Sequence, residues 1–353
     1  MEKIAIIELD TTKIKLVFAD VISNKSFLVY DHVDVPINLM KEFNNENIIK
    51  STIIKDVVCI LSVFKKMIDS EGITDVICVT TSKISEAKNQ NGFLNEIFSI
   101  TNLKFNILTP EQEINYIYTA VINSFNKPKA LIVSVSNYQT EFLLYNRRNV
   151  LNTCVIPYGS INLAEKFEGL STKEMMDKSK EFVYEQLKQY DWIFNLEEEY
   201  EIIGVGDVFL SLGEISRRAR KYPLQLEHNY TLSSQDLNKV YDVVSNMEIT
   251  KNSKIKGVSV DNTRSMPTGL AIISAIVNNG NKTELTISKN GLINGILLNT
   301  VIPLTLEKPI SDNLGYSLQV LNEFYDKKPN NAEHVYDLSM ILFKQLKVLH
   351  KLN

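Results

Sequence analysis

Three strand-like runs joined by tight turns occur twice in this chain, each time followed by alternating helices and strands. The first set opens the sequence: "KIAIIELD" and "IKLVFADV" flank "DTTK", and "KSFLVYDHVDVPI" follows. Apolar, β-branched runs with polar residues between them read as antiparallel strands. A helix comes next, with Val57, Ile60, Leu61, Phe64 and Met67 on one face and Gly72 as its stop. "DVICVT" is a buried strand. "KISEAKNQNGFLNEIFSIT" is helical around a break at Gly92, and "FNILT" is a short strand. "PEQEINYIYTAVINSF" is a helix that Thr109 caps and Pro110 begins. After the bridge "NKPK" the same grammar restarts with "ALIVSVS", "TEFLLYN" and "NVLNTCVIP". Helices and strands again alternate from there to about residue 300. Such a duplication predicts two α/β domains, 1–125 and 126–300, with a cleft between them, and a helical segment at 301–353.

Composition fits that division. At 353 residues the chain is too long for one simple core, and 44% hydrophobic content supplies two. A net charge of -4 gives no footprint for nucleic acid. No apolar run reaches the length of a membrane span, and the first residues enter a strand without a cleavable signal. Cys59, Cys78 and Cys154 are far apart, and the expectation is buried free thiols in a reducing cytoplasm. Trp192 and the basic run "RRARK" read as ordinary surface.

Six ordered stretches carry a resemblance. "VTTSKISEAKNQNGFLNEI" is similar to a segment "ATSAxREAxNxxxFL", and "ILTPEQEINYIYTAV" to "SGxEEAxxxxxGV". "ALIVSVSNYQTEFLL" sits where "LVxDIGGGSTELxx" is expected. "IPYGSINLAEKF", "IIGVGDVFLSLGEI" and the pair "PTGLAIISAIV" and "ISKNGLINGIL" match the remaining segments in order. Together they resemble the exopolyphosphatase/guanosine pentaphosphate phosphohydrolase (Ppx/GppA) family. The resemblance implies the actin-like fold shared with sugar kinases and Hsp70: two ribonuclease H-like α/β domains, an interdomain cleft and C-terminal helices. It implies hydrolysis of terminal phosphoanhydride bonds in polyphosphate or guanosine pentaphosphate, with Mg²⁺. The last helices resemble the start of an HD-type domain, stop before its His-Asp pair, and offer a face for a homodimer; His334 reads as a surface histidine.

Phosphoanhydride hydrolysis needs backbone N–H groups and cations around the phosphates, and a carboxylate to orient water. The resemblance gives that carboxylate role to Glu113, and a second catalytic place to Glu141. Without it, Glu113 would be a helix-dipole residue and Glu141 an outward strand residue. It places phosphate on Thr11, Thr12, Lys13, Asn137, Gln139, Thr140, Gly204 and Gly206, and the metal on Glu8 and Asp10. The departures are as specific as the matches. Ser134, Ser136, Asn137 and Tyr138 replace an aspartate and three glycines. Asp10 and Asp207 stand where glycines belong, and Ser85 and Ile293 replace arginines. Fewer cations and fuller loops predict a weak or impaired phosphatase. The alternative is a non-catalytic relative that binds a nucleotide, an anion or a partner.

Overall fold

The computed structural model describes residues 2–23, 26–39, 47–249, 255–256, 258, 260–280, 282–302, 310, 312–325 and 329–350. Two sheets organise the molecule. In the first, β1 (Glu2–Leu9), β2 (Lys13–Ser23) and β3 (Ser26–Pro36) form an antiparallel meander. Helix α1 (Ser51–Ser70) leads to β4 (Asp75–Thr80), which is parallel to β1. Helix α2 (Gln90–Thr101) leads to β5 (Phe105–Ile107), parallel to β4, and then comes α3 (Pro110–Ile122).

The second sheet repeats this plan with one strand added. β6 (Lys129–Val135), β7 (Thr140–Asn146) and β8 (Asn149–Ile156) form its meander. Helices α4 (Ser160–Lys166) and α5 (Thr172–Leu187) precede β9 (Glu201–Val205), which is parallel to β6. Then follow α6 (Asp207–Ala219), β10 (Tyr230–Ser233), α7 (Ser234–Ser245), α8 (Val260–Thr263) and α9 (Met266–Asn279). β11 (Glu284–Ser288) pairs parallel with β9 and antiparallel with β10, and α10 (Leu292–Val301) closes the domain. The strand orders, β3-β2-β1-β4-β5 and β8-β7-β6-β9-β11-β10, confirm the duplication read from the turns. β10 is the strand that the sequence pattern did not announce; at four residues it is too short to show a period.

Alternation decides which face each strand buries. On β1, Ala5, Ile7 and Leu9 join Val57, Leu61 and Phe64 of α1 and Phe93 and Ile97 of α2. The opposite face, Ile4 and Ile6, packs on Ile293, Ile296 and Leu297 of α10. On β6, Leu131 and Val133 join the large core beneath α5 and α9. Ala130 and Ile132 instead meet Ile114, Ile117 and Val121 of α3. The halves therefore exchange helices: α3 covers the second sheet, and α10 covers the first. The two helices cross between the sheets, and at Gly295 a Cβ would lie 1.9 Å from the Tyr116 carbonyl oxygen. Only a glycine lets the backbones meet there.

Several local expectations are corrected. Gly92 does not break the helix; it lies within the first turn of α2, and a Cβ there would meet open space. The interruption falls at Ala87–Asn89, because the Asn89 side chain is engaged elsewhere. Its Oδ1 accepts from the Ile49 N–H and its Nδ2 donates to the Ile49 carbonyl, both at 2.9 Å. Cys59 is exposed on the outer face of α1, whereas Cys78 and Cys154 are buried; all three are free thiols. Arg217 of the basic run is buried, donating to the Leu226 carbonyl and to Glu214, with its guanidinium over the Tyr230 ring. Trp192 packs partly buried against the second core.

Beyond α10, α11 (Asn313–Tyr325) docks on β2 and β3, and Ser26 Oγ donates to Glu323 at 2.5 Å. Helices α12 (Pro329–Gln345) and α13 (Lys347–His350) extend past it, leaving Leu338, Ile341, Leu342 and Leu346 exposed. His334 is exposed, as expected. No helix among the described residues is long and apolar enough to cross a membrane.

Candidate active site

The N-terminus of α3 and the β6–β7 hairpin meet because α3 crosses to the second sheet. Thr109 and Gln112 close a reciprocal capping box, Gln112 N donating to Thr109 Oγ1 and Thr109 N to Gln112 Oε1. The box fixes the first turn and with it Glu113, which is buried. Glu113 Oε1 accepts the Ser82 backbone N–H at 2.7 Å, from the loop after β4. Gln139, in the hairpin turn, donates its Nε2 to Glu113 Oε2 and to Glu141 Oε1, each at 3.1 Å. One amide thus joins the two carboxylates. Glu141 is also buried and takes a hydrogen bond from the Ser134 hydroxyl on the neighbouring strand.

Both carboxylates line a cavity of about 210 Å³ between the halves. Glu8, Asp10, Lys13, Lys15 and Thr81 enter from the first half. Ser134–Asn137, the turn at Gly206–Asp207, Lys289 and the start of α10 at Gly291 enter from the second. The helix starts explain the polarity of this wall. First-turn N–H groups have no intrahelical acceptor, so α6 and α10 present donors to the space. Gly206, at φ 112°, brings the loop within reach of β6; a Cβ would be 2.6 Å from the Val135 carbonyl oxygen.

Five carboxylates line this cavity, Glu8, Asp10, Glu113, Glu141 and Asp207, against three lysines, Lys13, Lys15 and Lys289. Burial dominates their titration. Desolvation pushes Glu113 up to about 7, opposed by its bonds to Ser82. Burial first, and the neighbouring Glu113 second, hold Glu141 well above the usual carboxylate range. Burial also raises Glu8, against the pull of Lys15, and Asp10, against its bonds to Thr11. Asp207 is the exception: burial would raise it, but Lys13 at 2.7 Å outweighs that and holds it low. Lys289 pairs with Glu227 at 2.7 Å.

The remaining expected site residues separate into two groups. Lys13, Asn137 and Gly206 line the cavity with Glu8 and Asp10. Thr11 is buried and donates to Asp10 Oδ1 at 3.2 Å, and Thr12 donates to Asp10 Oδ2 at 3.4 Å. Thr140 lies outside the cavity wall, fully buried, with its hydroxyl on the Tyr158 carbonyl at 2.8 Å. Gly204 packs under Phe209, whose ring would sit 2.1 Å from a Cβ, so its glycine is a packing requirement. Tyr138 turns away from the carboxylates into a neighbouring cavity of about 760 Å³ shared with Thr12, Ile37 and Ile161. Lys15 was missed by motif reading. Its signal was period: it lies two residues after Lys13 on β2 and opposite Glu8 in register.

The match to known proteins extends over this whole frame. The model of the Ppx/GppA phosphatase family covers residues 28–302, beginning within β3, so it leaves out β1, β2 and the first hairpin turn with its departures from the pattern. The chain belongs to the Ppx/GppA phosphatase family. A bifunctional 3-dehydroquinate synthase/phosphatase of Fusobacterium nucleatum is 24% identical over 313 residues, 84% of this chain. The chain spans 46% of that relative's length. The crystal structure of the Aquifex aeolicus Ppx/GppA family member superposes with a TM-score of 0.74 at 22% identity, covering 86% of this chain and 99% of that one. An exopolyphosphatase from Cytophaga hutchinsonii gives 0.77 at 17%, over 85% and 98%. At these identities the likeness establishes the fold, and this family member has the expected pair of actin-like α/β domains.

Proposed function

We propose that this Ppx/GppA member is a slow phosphohydrolase that cleaves terminal phosphoanhydride bonds of inorganic polyphosphate or guanosine pentaphosphate. The observation that carries the proposal is the Glu113–Gln139–Glu141 bridge at the wall of a cavity that also receives two helix N-termini. A carboxyl that titrates near 7 is poised to accept a proton at neutral pH. In this reading Glu113 orients and deprotonates the attacking water, while Gln139 holds Glu113 and Glu141 in register. The N–H groups at the starts of α6 and α10 receive the phosphate oxygens as charge shifts to the leaving group.

Glu8 and Asp10 fit a magnesium site of the kind that relies on one or two carboxylates plus waters and substrate phosphates. They point into the same cavity, and Asp10 is steadied by Thr11 and Thr12. Among the described residues no group of three His, Cys, Asp or Glu could hold a metal unaided. Bound there, Mg²⁺ would supply positive charge to the phosphate oxygens. Slowness follows from charge: Lys13 is already paired, and Ile293 offers an apolar surface at the cavity edge.

The second reading, a non-catalytic anion- or partner-binding relative, is favoured by two cross-cleft ties. They are Lys13 to Asp207 at 2.7 Å and Asn137 Nδ2 to Thr12 Oγ1 at 2.7 Å. Free thiols agree with action in the cytoplasm. The exposed apolar face of α12 agrees with a homodimer. Phosphate release from tripolyphosphate and guanosine pentaphosphate, with magnesium titrated in, decides between the readings. Release that Glu113→Gln abolishes supports the hydrolase; release that survives it, or no release from the parent, refutes it.

A further inference from the structure

Asp207 stands at a point built for an anion. It is the first residue of α6, directly after Gly206, at the helix end whose first-turn N–H groups lack intrahelical acceptors. Its Oδ2 lies 2.7 Å from Lys13 Nζ, which reaches over from β2 in the other half. The Asn262 amide also bonds its carboxylate. A lysine and a side-chain amide converging on one carboxylate at a helix N-terminus are the groups that would hold a phosphate oxygen. We propose that Asp207 is an internal stand-in for substrate phosphate, and that a polyphosphate terminus binds productively only by displacing its carboxylate from Lys13. The inference rests on the phosphohydrolase reading of the cavity and makes Asp207 the residue that sets how weakly this member holds its substrate.

Three observations make displacement the natural event. The pair lies at the cavity rim, with Asp207 about half exposed (45%) and Lys13 less so (23%), so an incoming anion reaches it from solvent. An ion pair that is only partly buried in this way is weak enough to give way to a better ligand. The residues come from opposite halves, so the same pairing draws the cleft closed, and Asn137 to Thr12 reinforces it nearby. Finally, Asp207 Oδ2 already occupies the Lys13 ammonium at 2.7 Å, so a phosphate oxygen reaches that lysine only once the carboxylate moves aside.

The test is equilibrium binding of inorganic tripolyphosphate by calorimetry, with phosphate release measured separately on the same preparations. Asp207→Asn keeps the shape and removes the charge; Asp207→Ser is a second uncharged variant with a smaller side chain, should the first fail to fold. The expected result is tripolyphosphate affinity raised about ten- to a hundredfold over the parent. In a Lys13→Met background the gain should vanish, because Lys13 is the group set free. Equal, measurable binding by parent and variants overturns the stand-in and leaves the phosphohydrolase reading intact. A gain that persists without Lys13 overturns displacement in favour of general repulsion. If parent and variants all fail to bind tripolyphosphate and release no phosphate, the function itself is refuted and the inference falls with it.

Discussion

Replacing Glu113 by glutamine should flatten the pH dependence of stability. The Glu113 carboxyl is raised by burial from its ordinary value of 4.5 to about 7, against the pull of Ser82. For a raised group the stabilising contribution is complete below the unfolded value and is lost as pH rises through the folded one. Between pH 5 and pH 8 the folded state must therefore ionise a buried carboxyl that the unfolded chain ionises freely. A gap of about 2.5 pK units, at 1.36 kcal/mol each, amounts to about 3 kcal/mol in full. Some of it already acts at pH 5, so about 2–3 kcal/mol falls within the window. Glutamine never ionises. Its Oε1 still accepts from the Ser82 N–H, but its amide faces that of Gln139, at a pH-independent cost of about 1 kcal/mol. Urea unfolding at pH 5 and pH 8 isolates the effect, because the constant cost cancels. The stability of Glu113→Gln relative to the parent should rise by about 2–3 kcal/mol over that interval. Phosphate release by the parent, conversely, should climb with pH and level off above 7. Parallel stability profiles for parent and variant would show that burial does not hold this proton, and the argument for Glu113 as a neutral-pH base would go with it.

Other consequences are direct. Gly295→Ala places a methyl 1.9 Å from the Tyr116 carbonyl oxygen and should cost about 3 kcal/mol or more in urea unfolding, since the neighbour is helix backbone that cannot rotate aside. A variant as stable as the parent would mean that α3 and α10 separate easily. Thr109→Ala removes the side-chain half of the capping box and should cost about 1 kcal/mol; it should also lower phosphate release, because Glu113 directly follows Gln112 of the box in the first turn. Unchanged turnover would argue that α3 is positioned by its packing alone. Leu338→Asp with Ile341→Asp should leave sedimentation at the monomer position if α12 joins two copies, and should change nothing if it does not.

How much of this was legible in the sequence follows from the range of the forces involved. The duplicated meanders were readable because strand alternation and turn residues are local signals, and both sheets have the order they imply. Glu113 was readable as a first-turn carboxylate, and Thr109 as its cap, because a helix start is written within four residues. The helix exchange was not readable. Nothing local says that α3 covers β6 and β9 or that α10 returns to β1; that depends on matching apolar faces far apart in the chain. The same distance hid Asn89. Its neighbours are all helix-compatible, and only the remote Ile49 backbone takes its side chain out of the helix. Gly92 attracted the break because glycine is a strong local signal, yet its position has open space and an ordinary backbone.

The loop departures look different once the contacts are known. Read singly, Asp207 and Asn137 are two lost glycines, each removing room for a phosphate. In the structure they act together: Asp207 takes Lys13, and Asn137 takes Thr12 and reaches Asp10 at 3.4 Å. Both reach from the second half to the same four-residue stretch, Asp10–Lys13, at the first hairpin turn. A phosphate chain bound across the cleft would bridge those same two loops. The substitutions therefore replace a bridge made by ligand with one made by side chains. Glu113 and Glu141 are untouched by that exchange and remain on the cavity wall, still joined through Gln139. A closed cleft with an intact carboxylate pair should favour a slow hydrolase, limited by opening and phosphate capture and not by the chemistry at Glu113. Loosening the ties should then raise turnover at low substrate more than at saturation. A change confined to saturating substrate would place the limit at Glu113 instead.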